Sequence, residues 1–120
     1  MGGLGSDFLT GGAGADRFSF NTPNLGVDTI TDFVTVDDTI NVSAAGFGGG
    51  LIASTPITAD QFLLGSGVST STSASQRFLY NTTNGALFYD ADGTGTLAAL
   101  QIATLTGTPS ITNADIFVTA

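Results

Sequence analysis

Apolar and polar residues alternate in short runs along most of this chain, and glycine, asparagine, aspartate and serine separate the runs. RFLY (77–80), ALFY (86–89) and IFV (116–118) have the length and the aromatic and β-branched content that are typical of strands. Long helical patterns are absent, although TADQFL (58–63) begins with a threonine that can cap a single helical turn. The pattern therefore predicts an all-β fold.

The second half of the chain is predicted to contain a hairpin and two further strands. Asn84-Gly85 stands between the first two of these runs and supplies the positive φ angles of a tight turn. LAALQIATL (97–105) is the next expected strand. Ile116 and Val118 are expected to form an edge strand against it, which closes this part of the fold.

Between the first twenty residues and the hairpin the pattern is weaker. Alternating apolar residues still indicate short strands separated by turns, at Val27, Ile30, Phe33, Ile40 and Val42. Residues 46–58 and 65–75 are rich in glycine, serine and threonine, and they are predicted to be loops.

Two nine-residue units follow Met1. GGLGSDFLT (2–10) and GGAGADRFS (11–19) both fit G-G-x-G-x-D-x-U-x, where U is a large apolar residue. This is the pattern of calcium-binding β-helix repeats. The glycines permit sharp turns with positive φ, and each aspartate places a carboxylate at the end of a turn. The alternative interpretation is a glycine-rich loop that only caps a sheet and carries ordinary turn aspartates.

Such repeats are expected to wind as a parallel β-roll with two motifs per turn, so that stacked loops on one edge lie about eighteen residues apart. A calcium ion between stacked loops would gather about six or more oxygens from carbonyls and carboxylates. This spacing places Asp32 beside Asp16, with Asp28 as a possible further ligand. The candidate metal-binding residues are Gly2, Gly3, Gly5, Asp7, Gly11, Gly12, Gly14, Asp16, Asp28 and Asp32.

The charge composition also favours a cation as partner. Ten acidic residues, all aspartate, face only Arg17 and Arg77, and the net charge is −8. Phosphate would be repelled, which disfavours nucleic acid, and anionic membrane surfaces are disfavoured for the same reason. The chain has no histidine, cysteine or lysine, so the usual catalytic bases, nucleophiles and zinc ligands are missing. Paired aspartates leave glycoside hydrolysis as a minor enzymatic alternative.

Nearly the whole chain resembles the C-terminal region of RTX proteins, the hemolysin-type calcium-binding proteins exported by type I secretion, including the C-terminal domain of serralysin-type metalloproteases. Residues 2–20 resemble the final repeats of that family. DTITDFVTVDDTINVSA (28–44) resembles its D-x-I-x-D-F segment and the strand that follows, and residues 77–107 resemble a hairpin near the ends of such proteins. NADIFVTA (113–120) resembles the terminal secretion signal. The zinc motif of the metalloproteases is absent, so protease activity is not carried over.

The resemblance implies the end of a calcium-binding parallel β-roll in residues 1–36 and a β-sandwich-like C-terminal cap in residues 37–120, with the secretion signal near residues 109–120. It implies a non-catalytic module that binds Ca²⁺, folds on calcium binding outside the cell and carries the type I secretion signal of a larger, secreted, extracellular protein. Its partners would be calcium ions, the type I exporter and upstream repeats of the parent chain. A carbohydrate-binding or adhesive β-roll module is the alternative function.

Two further groups of aspartates carry weaker signals. Asp90 and Asp92 in DADGTGT mimic the start of an EF-hand loop, but the twelfth position is Gln101 rather than glutamate. A turn held by side-chain hydrogen bonds is therefore favoured there over a calcium site. Asp37 and Asp38 are predicted to lie in a solvated turn, because adjacent carboxylates rarely converge on one ligand.

Overall fold

The regular structure in the described part of this chain is mostly β. A computed structural model describes residues 8–10, 12, 14–20, 27–48, 50–68, 72, 75–91 and 99–119. The strands are β1 (Phe8–Leu9), β2 (Arg17–Phe20), β3 (Asp28–Ile30), β4 (Thr39–Ser43), β5 (Thr55–Pro56), β6 (Phe62–Gly65), β7 (Phe78–Asn81), β8 (Ala86–Tyr89), β9 (Leu100–Leu105) and β10 (Ile116–Thr119). The helical elements are α1 (Ala44–Phe47) and two 3₁₀ turns, Ala59–Gln61 and Asn113–Asp115. The predicted all-β class is confirmed.

The strands form two mixed sheets. One has the order β1-β3-β9-β8-β7-β6, and the other has the order β2-β4-β10-β5. The first four strands alternate between the sheets, and β1 pairs in parallel with β3 as β2 does with β4. Strands β9 and β10 then pair in parallel with β3 and β4. Strands β9 and β10 thus add one further parallel strand to each of the two sheets that β1 to β4 begin.

Both sheets contribute to one hydrophobic core. In β2 every second side chain is buried, whereas in β4 Ile40, Asn41 and Val42 are all buried. The parallel register places Phe18 beside Ile40 and Phe20 beside Val42. Burial of each such side chain contributes about 1.5–3 kcal/mol relative to leaving it exposed. The core contains residues from both sides of the expected boundary at residue 36. Its largest fully buried side chains are Tyr80, Tyr89, Phe78, Ile30, Ile40, Ile57, Leu79, Leu87, Ile102, Leu105, Ile111 and Ile116.

The predicted hairpin is present as β7 and β8, which pair antiparallel with Leu79 opposite Phe88. Its turn differs from the prediction in one respect. Gly85 has a positive φ of 77°, whereas Asn84 is not among the described residues with positive φ. The Asn84 Oδ1 atom instead accepts the Ala86 N–H at 3.0 Å. Asparagine therefore stabilises this turn by a local side-chain hydrogen bond rather than by a left-handed backbone.

The two tyrosines of the chain anchor other segments to the β7–β8 hairpin. The Tyr80 hydroxyl donates to the Pro109 carbonyl at 2.8 Å, and the Tyr89 hydroxyl donates to the Phe47 carbonyl at 2.9 Å. Phe47, at the end of α1, also meets Tyr89 edge to face, with ring centroids 4.9 Å apart. Burial raises the pKa of both tyrosines above the usual 10.0, and at Tyr89 the charge of Arg77 partly offsets this. Each buried hydroxyl thus has the partner that its burial requires.

The predicted pairing of the C-terminal strand is wrong. Strand β10 does not lie at an edge beside β9 but in the other sheet, between β4 and β5. There Ile116 pairs with Ile40, and Val118 pairs with Val42 on one side and Thr55 on the other. The alternation of apolar residues indicates which side chains face the core, but it does not indicate which sheet a strand joins. None of the described helices has the length and apolar character needed to cross a membrane.

Candidate metal centre

Two loops lie against each other where the parallel strands leave the sheets. The first loop (residues 10–16) joins β1 to β2, and the second loop (residues 31–38) joins β3 to β4. At one end the Thr31 N–H donates to the Leu9 carbonyl at 2.9 Å, and at the other end the Thr39 N–H donates to the Asp16 carbonyl at 2.9 Å. The parallel pairing of the flanking strands therefore continues into the loops.

Carboxylates of the second loop accept hydrogen bonds from the backbone of the first. Asp32 Oδ2 accepts the Gly12 N–H at 2.7 Å, and Asp38 Oδ1 accepts the Asp16 N–H at 2.9 Å. The other oxygen of Asp38 accepts the Val34 N–H, also at 2.9 Å. We call the two hydrogen bonds of the Asp38 carboxylate the Asp38 bridge, because it joins the two loops.

The prediction that Asp38 lies in a solvated turn is wrong, whereas its neighbour Asp37 is exposed. Asp38 is only 3% exposed. A buried carboxylate is unfavourable unless hydrogen-bond donors replace its water. Here two main-chain N–H groups do so, and one of them comes from a residue 22 positions earlier. Adjacent aspartates in the sequence therefore have opposite environments.

The expected spacing of eighteen residues between stacked loops is also wrong for this part of the chain. Phe8 pairs with Thr29 and Arg17 pairs with Thr39, so the stacked positions are 21 and 22 residues apart. Strands β1 and β2 start at residues 8 and 17, but β3 and β4 start at 28 and 39. The segments beyond Phe20 are thus longer than a nine-residue repeat allows. As a result, Asp38 and not the expected Asp32 accepts a hydrogen bond from Asp16, and the carboxylate of Asp32 accepts one from Gly12.

Among the described residues of these loops, Asp16 has a feature that fits a bound cation. Its Oδ2 is buried and has no hydrogen-bond partner among the described residues. Buried polar atoms are nearly always satisfied, and a carboxylate oxygen is a preferred ligand of a hard cation such as Ca²⁺. Gly12 and Gly14, in the same loop, have the positive φ angles of 80° and 88° that the repeat pattern predicts.

The remaining candidates are not brought together in the described part of the chain. Asp28 is 2% exposed and begins β3. Asp32 follows the other end of that strand, so the two carboxylates belong to opposite ends of β3. Asp90 is also buried, whereas Asp92 lies outside the described residues. The other candidates that lie outside them are Gly2, Gly3, Gly5, Asp7 and Gly11.

The described residues do not form a complete cation site by themselves. Among them, no three His, Cys, Asp or Glu side chains are grouped closely enough to hold a metal ion. Calcium is bound by about six to eight oxygens. In these loops the described residues offer one carboxylate oxygen that is buried and has no hydrogen-bond partner, Asp16 Oδ2. Half of the predicted ligand set belongs to residues that are not described.

Fold and loops together define an all-β domain in which a glycine-rich loop with an acidic end stacks on a second acidic loop. No family model, no curated protein and no solved structure matches this chain.

Proposed function

We propose that this chain is a non-catalytic, calcium-binding module of the RTX type, which folds on calcium binding outside the cell and carries the type I secretion signal of a larger exported protein. The observation that supports it most directly is the stacking of the first loop on the second, in which Asp16 has a buried oxygen without a donor among the described residues. That loop belongs to the second G-G-x-G-x-D-x-U-x unit of the sequence.

In this proposal β1 to β4 are the last turns of a parallel β-roll, and the later strands form its cap. Two properties of the described strands support it. The first four strands alternate between the sheets, and β1 pairs in parallel with β3 as β2 does with β4. Phe18, the large apolar residue of the second unit, is buried in the core, as the repeat pattern requires.

Calcium would be held by the Asp16 carboxylate together with carbonyl and carboxylate oxygens of the glycine-rich units. The ion supplies positive charge that compensates the acidic loops. With ten acidic and two basic residues, the metal-free chain repels itself. Because the ligands converge only in the folded chain, the free energy of calcium binding contributes to folding.

The segment that forms β10 cannot serve as an export signal and be folded at the same time. In the folded chain β10 is paired on both sides, with β4 and with β5, and Ile116 and Val118 are buried. An exporter that reads this segment as an extended peptide requires it unpaired. Cytosolic calcium is scarce, and modules of this kind respond at about 0.1–1 mM, so folding would follow export.

Circular dichroism with and without chelator tests the calcium proposal. We expect β structure to increase with calcium, and we expect Asp16→Asn to raise the calcium concentration at the midpoint of that change. Asp37→Asn is the matched control, since it removes the same charge from an exposed position. Identical spectra of the native sequence in calcium and in chelator would contradict coupled folding.

Deletion of residues 115–120 from a full-length parent protein tests the secretion proposal separately. We expect the truncated protein to remain inside cells that carry a type I exporter. Normal secretion would refute the signal while leaving the calcium proposal intact.

The alternative of a carbohydrate-binding face has no specific observation in its favour. Sugar-binding faces usually present exposed aromatic rings, but from Phe18 to Phe117 every aromatic side chain is buried or half-buried.

A further inference from the structure

The Asp38 bridge differs from an ordinary turn hydrogen bond in the origin of its donors. One N–H belongs to Asp16 in the first loop, and the other belongs to Val34 in the second loop. Both donors are main-chain groups, so neither can rotate away from the carboxylate as a side-chain donor could. The buried Asp38 carboxylate thereby joins the two backbones directly, in addition to the Gly12–Asp32 and Thr39–Asp16 hydrogen bonds.

The bridge also acts on the orientation of Asp16. The backbone of this residue is held on both sides, because its N–H donates to Asp38 and its carbonyl accepts the Thr39 N–H at 2.9 Å. With the main chain fixed in this way, the side chain of Asp16 leaves the backbone in a set direction. Its Oδ2 then lies buried without a donor among the described residues.

We infer that Asp38 is a positioning residue that joins the two loops through its hydrogen bonds and fixes the Asp16 carboxylate through the Asp16 main chain. The first half of this inference stands on the hydrogen bonds alone. The second half, that Asp38 thereby sets the calcium affinity, rests on the proposed function.

Amide hydrogen exchange in saturating calcium, where the proposed function expects both variants to be folded, tests the bridge directly. Asp38→Asn preserves size but leaves one acceptor oxygen and introduces an NH₂ group, so one N–H loses its acceptor. We expect the Asp16 or the Val34 amide to exchange about tenfold faster or more, since hydrogen bonds to a charged acceptor are the stronger ones. Asp37→Asn, with the same change of charge at the adjacent exposed position, should leave both rates unchanged. Equal rates in the two variants would overturn the bridge.

If Asp38→Asn does not fold, the native protein decides the question. A scalar coupling across the hydrogen bond, from the Asp16 amide nitrogen to the Asp38 carboxylate carbon, supports the bridge. Absence of that coupling, in spectra that show couplings across the β2–β4 ladder, overturns it.

Calcium affinity tests the positioning role with the same pair of variants. We expect Asp38→Asn to weaken calcium binding about tenfold, the effect of losing one charge-assisted hydrogen bond behind a ligand, and Asp37→Asn to leave the affinity unchanged. Faster exchange with unchanged affinity would overturn the positioning role. If the native protein binds no calcium, the proposed function and the positioning role both fail, and the exchange rates still decide whether the bridge exists.

Discussion

Gly85 is the position where the packing of the hairpin against β9 is most sensitive to one added atom. A Cβ at Gly85 would lie 2.2 Å from the Leu105 carbonyl oxygen and 3.1 Å from its carbonyl carbon. The same two residues are joined by a hydrogen bond from the Leu105 N–H to the Gly85 carbonyl at 2.8 Å. Because both contacts are with main chain, neither partner can move without displacing a strand.

Gly85→Ala should therefore destabilise the protein through three effects. The left-handed backbone, at φ 77°, costs a residue with a side chain about 1–2 kcal/mol. Loss of the hydrogen bond to Leu105 costs about 0.5–1.5 kcal/mol, and displacement of a packed strand costs about 1–3 kcal/mol. Together these effects should lower the free energy of unfolding by about 2.5–6.5 kcal/mol, a large part of the stability of a domain of this size.

Gly107→Ala is the matched control, since Gly107 has φ 82° and open space around a built Cβ. Gly107→Ala should lower the free energy of unfolding only by the cost of the left-handed backbone, about 1–2 kcal/mol. Urea unfolding followed by circular dichroism, with calcium present throughout, measures both variants. Free energies that agree within about 0.5 kcal/mol, the error of such comparisons, would refute the described packing of the hairpin on β9.

Two further predictions concern titration. Burial raises the pKa of Tyr80 and Tyr89 above 10.0. Just above pH 10.0 these hydroxyls therefore stay protonated in the folded protein but ionise in the unfolded chain. The free energy of unfolding should decrease as the pH rises through that range. Phenolate absorbance should therefore rise together with the loss of β structure, and a tyrosine that ionises near pH 10 in the folded protein would refute its burial. Burial raises the pKa of the Asp115 carboxyl above 3.8, although the hydrogen bond from the Thr112 N–H acts in the opposite direction. The folded protein therefore holds this proton more tightly than the unfolded chain does. The free energy of unfolding should decrease as the pH rises from 3.8 through the folded-state pKa. Asp115→Asn should remove that decrease in urea midpoints, and an unchanged pH dependence would contradict it.

Burial and backbone conformation could be predicted where they depend on residues that are close in the sequence. Phe18 and Phe20 in β2 and Ile40 and Val42 in β4 alternate with polar residues, and each of them is buried. Gly85 adopts the positive φ that a turn between two apolar runs requires. In each case the physical cause lies within a few residues of the position concerned.

Features that depend on partners far along the chain were not predictable in this way. Strand β10 pairs in parallel with β4, more than 70 residues earlier in the chain, and the alternation of apolar residues within β10 does not indicate which strand it pairs with. Asp38 is buried because it accepts an N–H from a residue 22 positions earlier, which the pair Asp37-Asp38 does not indicate. Strand β5 contains Pro56, which lowers its strand signal, and it lies at a sheet edge where proline is tolerated.

Calorimetric titration of calcium into chelator-treated protein tests the central claim most directly, with circular dichroism recorded on the same samples. The proposal predicts saturable heat at or below about 1 mM calcium, with a gain of β structure over the same range. Magnesium should give a weaker response, because that smaller ion demands a near-ideal octahedral site and loses its water reluctantly. Absence of binding heat at millimolar calcium, together with an unchanged spectrum, would contradict the claim that this chain is a calcium-dependent module.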